Sequence, residues 1–231
     1  MRKAFLTFIL LFVLSATYVI AQNCNMYFPD NAGSIRELTN FDKKGKITGM
    51  VHQEIIGKDV SGNETSVTVL SKAFDKDSKE LSSNQMIIKC KSGVFSIDMK
   101  DYIDKSMLEA YKDMEIIMTG DNINYPSGLK VGDKLEDASI NIVVKNQGVV
   151  FMNWTISISN RTVSAQESIT TAAGTFQTFK LTYDLQTKTR IMTINSKAAE
   201  WLSSGVGVIK SESYDKTGKL IAYSLLTKLK N

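Results

Sequence analysis

The sequence predicts a mainly β protein, an antiparallel meander with two helical interruptions. Three observations carry this. Apolar residues recur at every second position in several short segments, the period at which a strand presents one face. Polar turn sequences separate those segments: Ser61-Gly62-Asn63, Lys91-Ser92-Gly93, Asn146-Gln147-Gly148 and Ala173-Gly174. Only Pro29 and Pro126 occur, and no linker rich in Pro, Gly or Ser divides the chain, so residues 22–231 read as one β-rich domain. Repeated short strands joined by such turns favour antiparallel neighbours.

The N-terminus comes first in the chain and reads as a targeting segment over residues 1–21. Arg2 and Lys3 precede a run from Ala4 to Leu14 that is apolar except for Thr7, and Val19 and Ala21 occupy the −3 and −1 positions of a cleavage site. That order is the layout of a cleavable secretory signal. The apolar run is short for a span of about 20 residues. A lipoprotein signal acting on Cys24 is disfavoured by Asn23, where small residues are required. The mature protein is therefore expected to be periplasmic or secreted, and not membrane-spanning once the signal is removed. Export also changes the meaning of Cys24 and Cys90, the chain's two cysteines. An even number in an oxidising compartment points to a disulfide, and two separate thiols are the alternative.

Strands follow. Met86, Ile88 and Cys90 take every second position, as do Ile140, Ile142 and Val144, then Ile156 and Ile158, then Phe179, Leu181, Tyr183 and Leu185. Near the C-terminus Ile221, Tyr223 and Leu225 alternate with Ala222 and Ser224, a pattern that predicts a strand with that apolar row buried. Phe41-Asp42-Lys43-Lys44-Gly45-Lys46 is echoed by Tyr214-Asp215-Lys216-Thr217-Gly218-Lys219, and more weakly by Phe74-Asp75-Lys76-Asp77-Ser78-Lys79. An Asp able to bond turn amides predicts a hairpin tip in each, and in the first two a Gly supplies the positive φ. These segments lack the further carboxylates of a calcium loop.

Two segments depart from period two. From Asp98 to Met118, the residues Met99, Tyr102, Ile103, Met107, Ala110, Tyr111, Met114 and Met118 fall at spacings of three and four, which predicts an amphipathic helix capped by Asp98. A shorter helix is predicted over Ser196 to Leu202, capped by Ser196 and ended by Gly205.

A family resemblance rests on Trp201-Leu202-Ser203-Ser204-Gly205-Val206-Gly207-Val208-Ile209-Lys210-Ser211-Glu212-Ser213-Tyr214-Asp215, on Thr171-Ala172-Ala173-Gly174-Thr175-Phe176, on Leu129-Lys130-Val131-Gly132-Asp133-Lys134-Leu135 and on Asn23 to Met26. These segments resemble the TapB-like secreted bacterial proteins of unknown function. The resemblance implies a curved antiparallel sheet, a half-barrel or open barrel similar to periplasmic lipoprotein carriers. The longer amphipathic helix is expected to lie across its concave face. It brings no catalytic residues, and a fold-level analogy is a weak guide to function.

Composition excludes more than it assigns. A net charge of +4, half of it on Arg2 and Lys3, offers no clustered basic face for nucleic acid. A hydrophobic content of 43% is too high for a disordered chain. His52 is the single histidine and stands outside any metal or triad motif. No Gly-x-Ser-x-Gly elbow occurs, and Gly205-Val206-Gly207 lacks the third glycine and the βαβ setting of a dinucleotide loop. The reading is therefore of a protein that is not an enzyme and carries neither cofactor nor metal. The candidate ligand-binding residues are Met99, Tyr102, Ile103, Met107, Tyr111, Met114 and Met118, because methionine adapts to irregular apolar ligands. They would line a groove for a lipid or other apolar molecule; as the alternative, the helix plugs the sheet as plain core. A structural or interaction module binding an envelope protein is the second function class.

Overall fold

A computed structural model describes residues 25–103 and 105–230, with the backbone alone for 105–107. The expected signal segment and Cys24 lie outside the described residues. The first five strands, β1 (Ile35–Asp42), β2 (Ile47–Ser61), β3 (Glu64–Asp75), β4 (Glu80–Lys91) and β5 (Val94–Asp98), form an antiparallel meander. After a connecting segment come β6 (Glu115–Gly120) and β7 (Asn122–Pro126). A second meander follows: β8 (Ala138–Asn146), β9 (Val149–Thr171), β10 (Gly174–Thr189), β11 (Thr193–Ser203), β12 (Gly207–Asp215) and β13 (Leu220–Lys230). β13 pairs with β1, so the two meanders fuse into one barrel-shaped sheet.

The edges of that sheet are β6, beside β8, and β7, beside β5. These two strands are consecutive in the chain, separated by Asp121 alone. The Asp121 N–H donates to Ser139 O of the second meander (2.9 Å), and its carbonyl accepts from Met99 N at the end of the first (3.2 Å). Its carboxylate also takes the N–H and hydroxyl of Ser139. One residue thus stitches both edges together, which removes most of the open edge that an antiparallel sheet otherwise exposes.

Period two predicts these strands because successive side chains alternate between lumen and exterior. Ile88, Ile140, Ile142, Val144 and Leu181 are all essentially without exposed surface. At β13 the alternation is present with its sides reversed. Ser224 lines the lumen, and the outward Tyr223 stacks on Phe41 of β1 with ring centroids 4.8 Å apart. Ile221 is half exposed.

The three expected hairpin tips are present. Asp42 Oδ1 accepts from Lys44 N and Lys46 N, Asp75 Oδ1 from Asp77 N and Lys79 N, and Asp215 Oδ1 from Thr217 N and Lys219 N. These amides hold all three carboxyls below the ordinary range of an aspartate, with the Thr217 hydroxyl the largest contributor at Asp215. The left-handed position is filled by Gly45, Ser78 and Gly218.

Both predicted helices are corrected: no α-helix occurs among the described residues. Ser196 to Leu202 belongs to β11, paired along its length with β10 and β12. Its helix-forming Lys, Ala, Glu and Leu are overridden by a ladder on both sides, and Gly205 serves instead in the β11–β12 turn. The stretch from Asp98 to Met118 contains two 3-10 helices, Met99–Tyr102 and Lys105–Tyr111, and then enters β6. Asp98 does cap, accepting from Lys100 N, but it caps one short turn. The chain must here pass from the β5 edge to the β6 edge, and β-branched Ile116, Ile117 and Thr119 suit a strand. Their spacing imitated a helical stripe.

Candidate functional site

The barrel has a floor and a mouth. The turns after β2, β4, β9 and β11 lie at the floor, where the segment before β1 bonds to the β11–β12 turn, to Ser127 after β7 and to β2. Gly205 N donates to Met26 O, Asn25 N to the Ser127 hydroxyl, and Gly33 N to Ile55 O. This strap inserts Met26, Tyr27 and Phe28, all buried. Tyr27 meets Phe95 edge-on at 5.9 Å, and Tyr125 lies 6.3 Å from Tyr27 and 5.8 Å from Phe95. Cys90, directly opposite Phe95 in the sheet, is fully buried; no free cysteine occurs among the described residues. The Cys24–Cys90 pairing itself depends on a residue outside them.

Above the floor the lumen has two walls. One, from β4 through β5, β7 and β6 to β8, is apolar: Met86, Ile88, Phe95, Ile97, Ile123, Met118, Ile140 and Ile142 pack in a single cluster. The other presents small and polar groups. Asn40, Gln53, Glu200, Ser211 and Ser224 line a cavity of about 240 Å3 together with Arg36, Tyr102 and Tyr125. An adjoining space of about 260 Å3 toward the mouth is lined by Ser71, Ala73, Ser82, Asn84 and Ile103, and shares Val51, Gln53, Met86 and Tyr102 with the first. Tyr102 keeps 52% of its surface accessible, yet desolvation holds its hydroxyl well above the ordinary tyrosine value. Both hold for a side chain that stands in a surrounded, solvent-reachable lumen.

Charge in this lumen is unbalanced. Arg36 on β1 is 3% exposed. Its Nη2 donates to Val208 O at 2.5 Å, and its guanidinium lies over the Phe28 ring. A Cβ on Gly207 would come within 2.4 Å of Arg36 Nη1, so any other residue there would displace the guanidinium from this position. Burial lowers the Arg36 pKa to about 10. Arg161 on β9, 2% exposed, donates from Nη1 to Glu136 O and stacks over Tyr125. Arg36 Nε and Arg161 Nη2 are buried without a hydrogen-bond partner. The carboxylate nearest in effect is Glu200 on β11, which accepts from the Tyr183 hydroxyl at 2.8 Å. Burial raises its pKa, against the lowering influence of that hydrogen bond and of Arg161.

The sequence-predicted lining is dispersed by this arrangement. Tyr102 and Ile103 line the lumen. Met99 is buried in the core, and Met118 packs against it from β6. Tyr111 packs near the mouth against Phe151 and Trp154, and Met114 is half-buried in the turn before β6. The side chain of Met107 lies outside the described residues. Sequence reasoning missed Arg36, Arg161, Glu200 and Tyr125. The available signal was a charged residue on the inward phase of a strand, as at Glu200 between Ala198 and Leu202.

An apolar groove of about 770 Å3 lies beside the mouth, lined by Val150, Phe151, Trp154, Ile191 and Met192 with Lys188 and Arg190. Ile191 is 90% exposed. Among the described residues no helix is long and apolar enough to cross a membrane, and no group of three or more His, Cys, Asp or Glu could hold a metal.

Residues 31–226 match the DUF3108-like family. The chain belongs to that family. Two solved structures resemble this member over 90% of its length and the whole of their own. One, from Bacteroides fragilis, is of a protein described as exported with a YmcC-like fold, 26% identical at a TM-score of 0.74. The other, from Parabacteroides distasonis, is described as a lipoprotein, 25% identical at a TM-score of 0.76. No curated protein matches this family member. In place of the expected half-barrel, the sheet forms a nearly closed antiparallel barrel of the YmcC-like kind.

Proposed function

We propose that this is an exported, non-enzymatic binding protein that takes the apolar part of an amphipathic ligand into its lumen. The observation that supports the reading best is the pair of adjoining cavities between an apolar wall and a wall of small polar groups, reachable at Tyr102. Ligand pockets combine mostly apolar lining with a few placed polar groups. Export is supported by the secretory order of residues 1–21 and by the exported and lipoprotein descriptions of the two similar structures. The narrower TapB-like kinship remains a likeness of the quoted segments, and the Cys24–Cys90 disulfide is part of the same proposal.

Native mass spectrometry of the mature protein, compared with the denatured mass, tests this reading. A co-purified lipid or fatty acid that is released on unfolding is the expected result. An empty protein that also fails to enhance the fluorescence of a dansylated undecanoic acid overturns it. A second reading, an envelope interaction module, is favoured by the exposed Ile191, Met192 and Phe151 beside the mouth. It predicts that Ile191→Asp abolishes partner recruitment while leaving probe binding in the lumen intact.

A further inference from the structure

Burying a guanidinium is costly unless its charge is balanced and its donors are used. Arg36 meets neither condition among the described residues: no carboxylate stands within ion-pair distance, and Nε has no acceptor. The site nevertheless has several provisions that keep the arginine in place. Gly207 clears the space beside Nη1, Val208 O fixes Nη2, and the Phe28 ring supports the plane from the floor. Arg161 adds a second buried cation with an open Nη2, and the Tyr102 hydroxyl feels both guanidiniums. Glu200 is the one carboxylate acting on this cluster, and it is already engaged by Tyr183. Two cations against one carboxylate leave positive charge at the bottom of a cavity whose other wall is hydrocarbon. An arginine fork matches a carboxylate or phosphate better than any neutral group.

We propose that the lumen floor is an anion subsite, in which Arg36 holds the carboxylate or phosphate of an amphipathic ligand whose hydrocarbon chain lies against the wall of Met86, Ile97 and Phe95. This rests on the lumen-binding reading above and adds the polarity of the ligand and its direction, head group down. Arg161 lies further round the cluster and reinforces the field. The partly polar lining of Asn40, Gln53, Ser211 and Ser224 leaves room for water around the head group.

The test compares 11-(dansylamino)undecanoic acid with its methyl ester on the parent protein, followed by displacement with dodecanoate, dodecyl phosphate and dodecanol. The expected result is that the acid binds about tenfold more tightly than the ester, the ratio that one charge-assisted hydrogen-bond pair supplies. Dodecanoate and dodecyl phosphate should both displace it better than dodecanol, and whichever is tighter identifies the head group. Arg36→Met should erase the acid–ester difference while leaving ester binding in place, and Arg36→Lys should restore part of it. Equal binding of acid and ester by the parent protein overturns the anion subsite and leaves the lumen-binding reading standing. Failure of both probes to bind removes both. Should Arg36→Met not fold, the parent's acid–ester ratio decides alone.

Discussion

The floor and the mouth of this barrel are both ringed by hairpin turns and have opposite character. At the floor, a strap from outside the meanders bonds to the β11–β12 turn, inserts Tyr27 beside Phe95 and Tyr125, and sets Phe28 against the buried Arg36. At the mouth, the tips at Asp42, Asp75 and Asp215 satisfy their own amides and reach no further, so the lumen between them stays open. The difference teaches that the hairpins alone make a tube, and that a long-range segment gives it a bottom and hence a direction.

The largest test of this contrast is truncation of an aromatic at each end. Phe95→Ala, at a site with 1% exposure, should lose about 3–5 kcal/mol in urea unfolding. Phe41→Ala, which removes only the outward stack on Tyr223, should lose about 1 kcal/mol. Similar losses at the two sites would break the contrast.

Next in size is the tie between strap and sheet. Reduction of the proposed Cys24–Cys90 bond should lower stability by up to about 4 kcal/mol and add the mass of two hydrogens. Asn25 bonds Ser127, and Ser127 N bonds Gly93 O, so the strap starts close to the strand pair that carries Cys90. Thiols that alkylate freely in the denatured, unreduced protein would dispose of the bond, and a lipid found on Cys24 would replace it with an anchor.

Glu200 sharpens the comparison through pH. Its folded pKa is raised, first by burial, so between the ordinary carboxylate range and that raised value the folded protein holds a proton the unfolded chain has lost. Stability contributed by this group therefore falls as pH rises through that interval. The hairpin aspartates act oppositely, since their depressed values make stability rise with pH in a lower, more acidic window. Glu200→Gln should remove the decline toward neutral pH and leave the acidic limb unchanged. Parallel urea midpoints for parent and variant across that interval would refute the assignment.

The smallest effect is at the mouth. Ser78 takes φ +63° where the other two tips carry glycine. Ser78→Gly should stabilise by at most about 1 kcal/mol, as strain relief is offset by chain entropy, without altering probe binding. A measurable loss of stability would show that the serine side chain contributes something the turn geometry does not reveal.

What the sequence by itself determined was local. Period two located the strands around Ile88, Ile142 and Leu181, and the recurring aromatic-Asp turn motif located the tips, because a pleat and a turn depend on a few adjacent residues. The side each row faces was decided elsewhere. The row Ile221, Tyr223, Leu225 looked like core and faces outward, because pairing of β13 with β1 and β12 sets Ser224 beside Asn40 and Ser211 on the polar wall of the lumen. Ser196 to Leu202 carried helix-forming residues and became a strand because ladders on both sides fix its backbone. The helical spacing from Met99 to Met118 dissolved because the chain must cross from one sheet edge to the other, where Asp121 joins them. The candidate site followed the same division: the aromatic and methionine content was legible, but burial of Arg36 depends on Phe28, Gly207 and Val208, which only the β12–β13–β1 pairing and the strap bring together.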